Sequence, residues 1–271
     1  MSAPAQTTPA QTLALPIWAL HSLSRLTPFV LFLAAWQGLA KSGLIDPTFL
    51  PSVSAVGHAL IDLGASPSFY TDLAVTLGRS LGGLALGAAI GIPLGAGMAV
   101  SRKIDGFFGP LVKATYSLPK TALIPLLLLW LGIGSATNIV AVMFSTLLPF
   151  VVYTYHGIHG VPQLLTWSAR AMGTPQRRLL WKILLPASLH AILTGLRLAL
   201  GFSFVIAIAA EMIAANTGIG KLMFIYGESG AYDYMFAAVA AVVALAYVAD
   251  RLTVVISNRL LRWDDVENRL G

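Results

Sequence analysis

The sequence predicts an all-α, polytopic membrane protein with about six transmembrane helices. Three observations carry this. Hydrophobic residues make up 57% of the 271 and charged residues only 10%, whereas a soluble domain carries about 25% charged residues. The mean hydropathy is +0.79, and so little polar surface cannot cover a water-soluble core of this size. Apolar runs near the length that crosses hydrocarbon, about 20 residues, recur along the chain, and the basic residues gather on alternate loops.

The elements follow in order. Residues 1–16 are rich in Pro, Ala, Thr and Gln and carry no charge. A secretory signal needs a basic start before its apolar stretch, so a disordered cytoplasmic tail is expected here. Residues 17–257 form the transmembrane domain. Its first segment covers Leu26 to Ala40, or begins earlier near Ile17, with Arg25 at the inner boundary. If that segment lies in the interface instead, five spans remain. The stretch Leu50 to Leu73 is too polar to span and is expected along the outer membrane surface, with Ser52 or Ser54 capping a short helix.

Segment two, Leu77 to Val100, ends at Arg102-Lys103. Gly83, Gly87, Gly91 and Gly95 stand four apart on it and form one smooth ridge, where another backbone can approach closely in lipid. Pro93 in the same helix is expected to bend it. Segment three, Leu111 to Leu131, contains Pro119-Lys120 and Pro125 and is expected to be broken. Broken helices often line transport paths, which makes Pro119 and Pro125 candidate pathway residues beside a purely structural reading. Segment four runs from Asn138 to about Tyr155, after a turn at Gly132-Ile133-Gly134-Ser135.

Segment five is Ala191 to Ile213 and segment six Tyr234 to Ile256. Glu211 is the sole acid in segment five. An intramembrane ionisable group is a pathway or gating candidate, but near a span end it also serves to bond a neighbouring helix, and both readings stand. Arg197 lies about four turns away on the same helix and cannot pair with it. Aromatic residues between Ala214 and Asp233 suit an interfacial belt. Residues 258–271 are expected to form a C-terminal cytoplasmic tail.

Six spans place both termini on one side. Arg25, Arg102, Lys103, Lys113, Arg170, Arg177, Arg178, Lys182, Arg251, Arg259, Arg262 and Arg269 then fall inside, against Lys41, Arg79 and Lys221 outside. This bias predicts cytoplasmic termini. The net charge of +6 is accounted for by those loops, and no nucleic-acid-binding pattern accompanies it. There is no cysteine, hence no thiolate metal site or nucleophile. His156 and His159 are three apart with no further metal ligand nearby, so no metal is expected. No phosphate-binding loop, His-Glu-x-x-His or Gly-x-Ser-x-Gly occurs, which argues against a nucleotide site and against intramembrane catalysis.

The polar insert from Val161 to Pro186 is the most informative stretch. Pro162 suits a helix start, Gly173 a break, and Pro175 the first turn of a second helix over 176–185 that Pro186 ends or kinks. Arg170, Arg177, Arg178 and Lys182 make it basic, which also suits anionic lipid headgroups. Gly173, nine residues, Ile183, one residue, then Leu185-Pro186 is a spacing that resembles the cytoplasmic loop of permease subunits of ATP-binding-cassette (ABC) importers.

Other stretches carry the same resemblance in order over residues 30–265. They include Leu50-Pro51-Ser52, Gly91-Ile92-Pro93-Leu94-Gly95, Trp130-Leu131-Gly132-Ile133-Gly134, Thr194-Gly195-Leu196-Arg197, Ala210-Glu211-Met212, Gly218-Ile219-Gly220 and Arg262-Trp263. The chain is similar to the branch serving aliphatic sulfonates, taurine, nitrate and thiamine-precursor pyrimidines.

The resemblance implies a permease of a binding-protein-dependent importer in the bacterial plasma membrane. Its pathway would alternate between outward and inward openings. Two permease copies, ABC ATPase subunits carrying ATP and magnesium, and a periplasmic or extracellular solute-binding protein would complete it, with no cofactor on this chain. Ala169, Arg170, Gly173, Arg177, Ile183, Leu185 and Pro186 would form the ATPase-coupling loop. Where the family loop opens Glu-Ala-Ala, this chain reads Trp167-Ser168-Ala169, so the acidic residue of that motif is absent and its contact with the ATPase does not carry over. A stand-alone secondary transporter is the competing reading. It needs buried acids or unwound helices for a coupling ion, and intramembrane acids are scarce here.

Overall fold

Apolar runs separated by Gly and Pro breaks give a chain of helices. The computed structural model describes residues 17–261, with side chains from Thr27 onward. The expected N-terminal tail, most of the C-terminal tail and the Arg25 side chain therefore lie outside what is described. The helices are α1 Ile17–Lys41, α2 Val53–Gly64, α3 Pro67–Val100, α4 Arg102–Tyr116, α5 Ile124–Leu131, α6 Ser135–His159, α7 Gln163–Ala171, α8 Gln176–Leu179, α9 Leu185–Ala187, α10 Leu189–Ala214, α11 Ile219–Glu228 and α12 Tyr232–Leu260.

The chain divides near Val56 into two compact units. In the first, α1 is followed by a loop whose Pro51 O accepts the Trp36 Nε1–H of α1 at 3.1 Å. Asp46 Oδ1 accepts the Thr48 backbone N–H at 2.8 Å, and that bond holds the exposed Asp46 carboxyl below its ordinary pKa.

In the second unit, α3, α6 and α10 pack on one another at the centre. Gly83, Gly87, Gly91 and Gly95 line the α3 face against α6. A Cβ built on Gly83 would sit 2.5 Å from the Val142 side chain, and one on Gly91 would sit 2.7 Å from Leu147 O. Gly87 meets Thr146, and Gly95 meets the Val151 carbonyl, more closely still. Small residues thus let two backbones touch, where attraction comes from dispersion rather than from the hydrophobic effect. Pro93 lies within α3, which runs unbroken from Pro67 to Val100.

Three sequence expectations need correction. First, α3 begins at Pro67, not Leu77, and residues 67–73 are helical rather than part of a surface stretch. Pro at the first turn, after Ser66, favours a start there. With 34 residues at about 1.5 Å each, α3 exceeds the ~30 Å of hydrocarbon.

Second, segment three starts at Arg102 rather than Leu111, and it is broken, as its prolines predict. It is α4 and the 120–131 helix meeting at 98°. Pro119 removes a donor and biases Leu118 away from helix. The chain then resumes as a 3₁₀ turn, Lys120–Leu123, before α5.

Among the described residues four helices are long and apolar enough to cross a membrane, or five with that bent pair. They are α3, α6, α10 and α12. The expected first span coincides with α1, whose first ten side chains are not described.

Third, the second helix of the insert is not one regular α-helix over 176–185, and of the two expected effects of Pro186 it does not end the helical run. The chain widens into a π turn at Leu180–Leu184 and re-enters α-helix through Pro186. The Leu185 N–H reaches back five residues to Leu180 O, and proline, with no N–H of its own, fits where the ladder is already offset.

Candidate functional site

Two constellations stand out. At one end of the bundle lies the insert 161–186. Helix α7 ends in a left-handed glycine: Gly173 has φ 74°. Its N–H bonds Arg170 O at 2.9 Å, and Thr174 N–H bonds Ala169 O at 3.0 Å. That pair of bonds is a Schellman motif, which needs φ > 0 at Gly173 and reverses the chain in two residues.

The insert is anchored from beneath. Ala169, Leu179 and Leu184 are buried with Ala96 of α3 and Ile158 and Val161 at the end of α6. Ile183 and Leu185 are half-buried against the same cluster. Outward, the insert shows Arg170, Arg177, Arg178, Lys182 and Pro186, with Arg170 near Gln176 (3.5 Å). It also exposes large apolar groups that the sequence reading did not single out: Met172 (78%), Leu164 (71%) and Trp181 (69%), beside Trp167 (61%). Their placement in the basic insert between long apolar runs was the available signal. A basic, apolar outer face on a rigid, core-anchored base is suited to docking a protein surface.

At the other end of α3 lies a buried polar knot. Arg79, counted by sequence among the basic residues on the outer side, is instead 5% exposed inside the bundle. Its Nη1–H donates to Glu211 Oε1 at 2.8 Å and to Thr217 O at 2.7 Å. Its Nε–H donates to Ser135 Oγ at 3.1 Å and its Nη2–H to Thr217 Oγ1 at 3.1 Å. The other carboxylate oxygen of the fully buried Glu211 accepts the Thr76 hydroxyl at 2.8 Å and the Gly220 N–H at 3.0 Å. Thr76 Oγ1 accepts Ile219 N–H at 2.9 Å, and Asp72 Oδ1 accepts Gly218 N–H at 2.7 Å.

Three side chains from α3 and α10 thus cap the first N–H groups of α11, and carboxylates are favoured there. Gly218, at φ 108°, is required: a Cβ would collide with the Glu211 carboxyl. Glu211 is therefore an inter-helix bond, and sequence missed its partner because Arg79 is 132 positions away.

Elsewhere, Arg197 forms a bidentate pair with Asp250 of α12 at 2.6 and 2.9 Å, a partner the sequence reading did not propose. His159 Nδ1 lies 3.0 Å from Tyr155 O. Among the described residues no cluster of His, Cys, Asp and Glu is placed to hold a metal. Pro125 opens α5, and Pro119 precedes the 3₁₀ turn at the break.

Residues 87–262 match the family described as binding-protein-dependent transport system inner membrane component. The taurine transport system permease protein of Escherichia coli K12 is 32% identical over 238 residues, 85% of this chain and 86% of that protein. The putative aliphatic sulfonates transport permease protein of the same strain is 32% identical over 245 residues, 89% of this chain and 93% of its own length. Among solved structures, an inward-facing methionine ABC transporter aligns with TM-score 0.64 at 21% identity, covering 70% of this chain and 95% of that one. A bacterial alginate ABC transporter in complex with its alginate-bound periplasmic protein aligns with TM-score 0.57 at 17% identity, covering 90% and 94%.

Proposed function

The chain belongs to the binding-protein-dependent transport system inner membrane components, the multi-pass permease subunits of ABC importers, and from that premise we propose that its segment 161–186 is the cytoplasmic handle through which a separate ATPase drives the spans. The observation that carries this is the buried cluster joining Ala169, Leu179 and Leu184 to the ends of α3 and α6. A force on the exposed face reaches two spanning helices through close-packed side chains, and such interiors transmit strain rather than absorb it.

Trp167, Met172 and Trp181 supply the apolar contact where an acidic one is absent, and Arg170 and Arg177 supply the charge. ATP with magnesium sits on the ATPase, and this chain binds no cofactor. A second copy of the permease completes the pathway, and a solute-binding protein delivers the solute. The protein lies in the bacterial inner membrane with both termini cytoplasmic. The names of its relatives support a solute of the taurine or alkanesulfonate class.

Extraction in mild detergent from native membrane is expected to recover an ATPase with the chain, and Trp181→Ala together with Arg177→Glu is expected to release it. A chain that purifies alone and transports in liposomes without ATP would overturn the reading. Gly173→Asp is expected to abolish ATP-driven uptake while leaving the amount of protein in the membrane unchanged. The left-handed backbone at Gly173 costs a non-glycine residue only about 1–2 kcal/mol, too little to unfold a bundle anchored elsewhere. Normal uptake by Gly173→Asp would count against docking at this corner.

A further inference from the structure

Midway along the bundle a cavity of about 370 Å³ opens at the break between α4 and the 120–131 helix. Lys120 and Thr121 line it from the break, Ser145 and Leu148 from α6, and Phe202 and Val205 from α10. Ser145 stands ten residues into the 25-residue α6, and Phe202 thirteen into the 26-residue α10. The cavity is therefore near the middle of both helices.

Among the described residues, Lys120 is the one charged group in its wall. No Asp, Glu, Lys or Arg follows it until Arg170, and among the described residues no carboxylate lies within ion-pair distance of it. Its ammonium donates one bond, to Tyr116 O at 2.6 Å, and stands 5.5 Å from the Tyr116 ring centroid. Lysine carries three N–H donors, so two remain for another acceptor. A cation at this depth is costly and is retained where it meets a partner or a pathway. The Arg79 and Arg197 cations are both matched by carboxylates. Lys120 is matched by none.

We propose that this cavity is the transit site for a small organic anion, with the Lys120 ammonium as its counter-charge. The Thr121 hydroxyl supplies a further donor, and Phe202, Leu148 and Val205 enclose an apolar body. This rests on the importer reading and adds the place and chemistry of the solute within the permease. A monovalent sulfonate or carboxylate with a short apolar chain fits. A bare inorganic anion leaves the apolar wall unmatched, and an uncharged solute leaves the cation unmatched.

The test uses the whole complex of permease, ATPase and binding protein in liposomes. Uptake is measured for ethanesulfonate, taurine, nitrate and an uncharged aminopyrimidine. The importer reading stands or falls on whether uptake requires ATP, and the anion site on which solutes move and how they depend on position 120. ATP-dependent uptake of ethanesulfonate is expected, and of taurine, a zwitterion, through its sulfonate end. Lys120→Gln is expected to lower it about tenfold, the scale of one lost charge-assisted hydrogen bond, and Lys120→Arg to restore most of it.

Because the chain has no cysteine, Lys120→Cys introduces its one thiol. Treatment with 2-aminoethyl methanethiosulfonate, which restores a cation, is expected to recover uptake, and methyl methanethiosulfonate is not. The proposal falls if Lys120→Gln transports normally. It falls equally if wild type moves the uncharged solute alone, or if the variants fail to assemble by gel filtration and neither arginine nor the cationic reagent rescues them.

Discussion

Glu211→Leu is expected to lower the stability of the solubilised permease by about 3–5 kcal/mol, because it strands the buried Arg79 guanidinium without its counter-charge. The Gly220 N–H and the Thr76 hydroxyl lose their acceptor in the same step, and each unpaired buried group costs about 1–3 kcal/mol. Even Glu211→Gln is expected to destabilise. One carboxylate oxygen accepts from Arg79 and the other from Thr76 and Gly220, so an amide must turn its NH₂ toward a donor in either orientation. Arg79→Leu is expected to be as damaging, and Arg79→Leu with Glu211→Leu together less damaging than the sum, since no lone charge remains. The thermal unfolding midpoints of the four variants in detergent decide this. Additive losses would show that the pair is not coupled.

The second large effect concerns the glycine ridge. Gly91→Ala is expected to cost about 1–3 kcal/mol, the usual range for overpacking. Its Cβ would meet Leu147 O and the Phe150 Cβ at 2.7 Å, and a backbone carbonyl cannot rotate away as a flexible side chain can. Gly91→Leu is expected to separate α3 from α6 and to leave no folded protein after extraction. Gly78 in the same helix has nothing within 4 Å of its Cβ position. Gly78→Ala is therefore expected to stabilise by about 0.5–1 kcal/mol through helix propensity alone. A Gly91→Ala midpoint equal to that of Gly78→Ala would show that the two helices do not need their close approach.

The ridge was legible because a spacing of four is a property of one helix. Its partner was not, since nothing in α3 specifies which surface fills the groove. The break at Pro119 was legible for the same local reason, whereas the 98° turn it allows depends on where α5 packs.

Arg79 shows the opposite failure. Counting basic residues by loop assumes that a cation near a span boundary faces water, and this one lies inside because Glu211 neutralises it and Thr217 and Ser135 accept three further N–H bonds. Sequence proximity could not have joined them. In the insert, the turn at Gly173 was written in the residues. The π turn before Pro186 was not, because it answers to how Leu179 and Leu184 both reach one core.

The capping of α11 also creates a natural clock. Amides at the start of a solvent-side helix ordinarily exchange their hydrogens with water rapidly. Those of Gly218, Ile219 and Gly220 are each held by a side chain from another helix, so they exchange only when the Arg79–Glu211 knot opens. Deuterium uptake at these three positions should lag that of the neighbouring residues and accelerate together in Glu211→Gln, reporting in seconds to hours how often this end of the bundle comes apart.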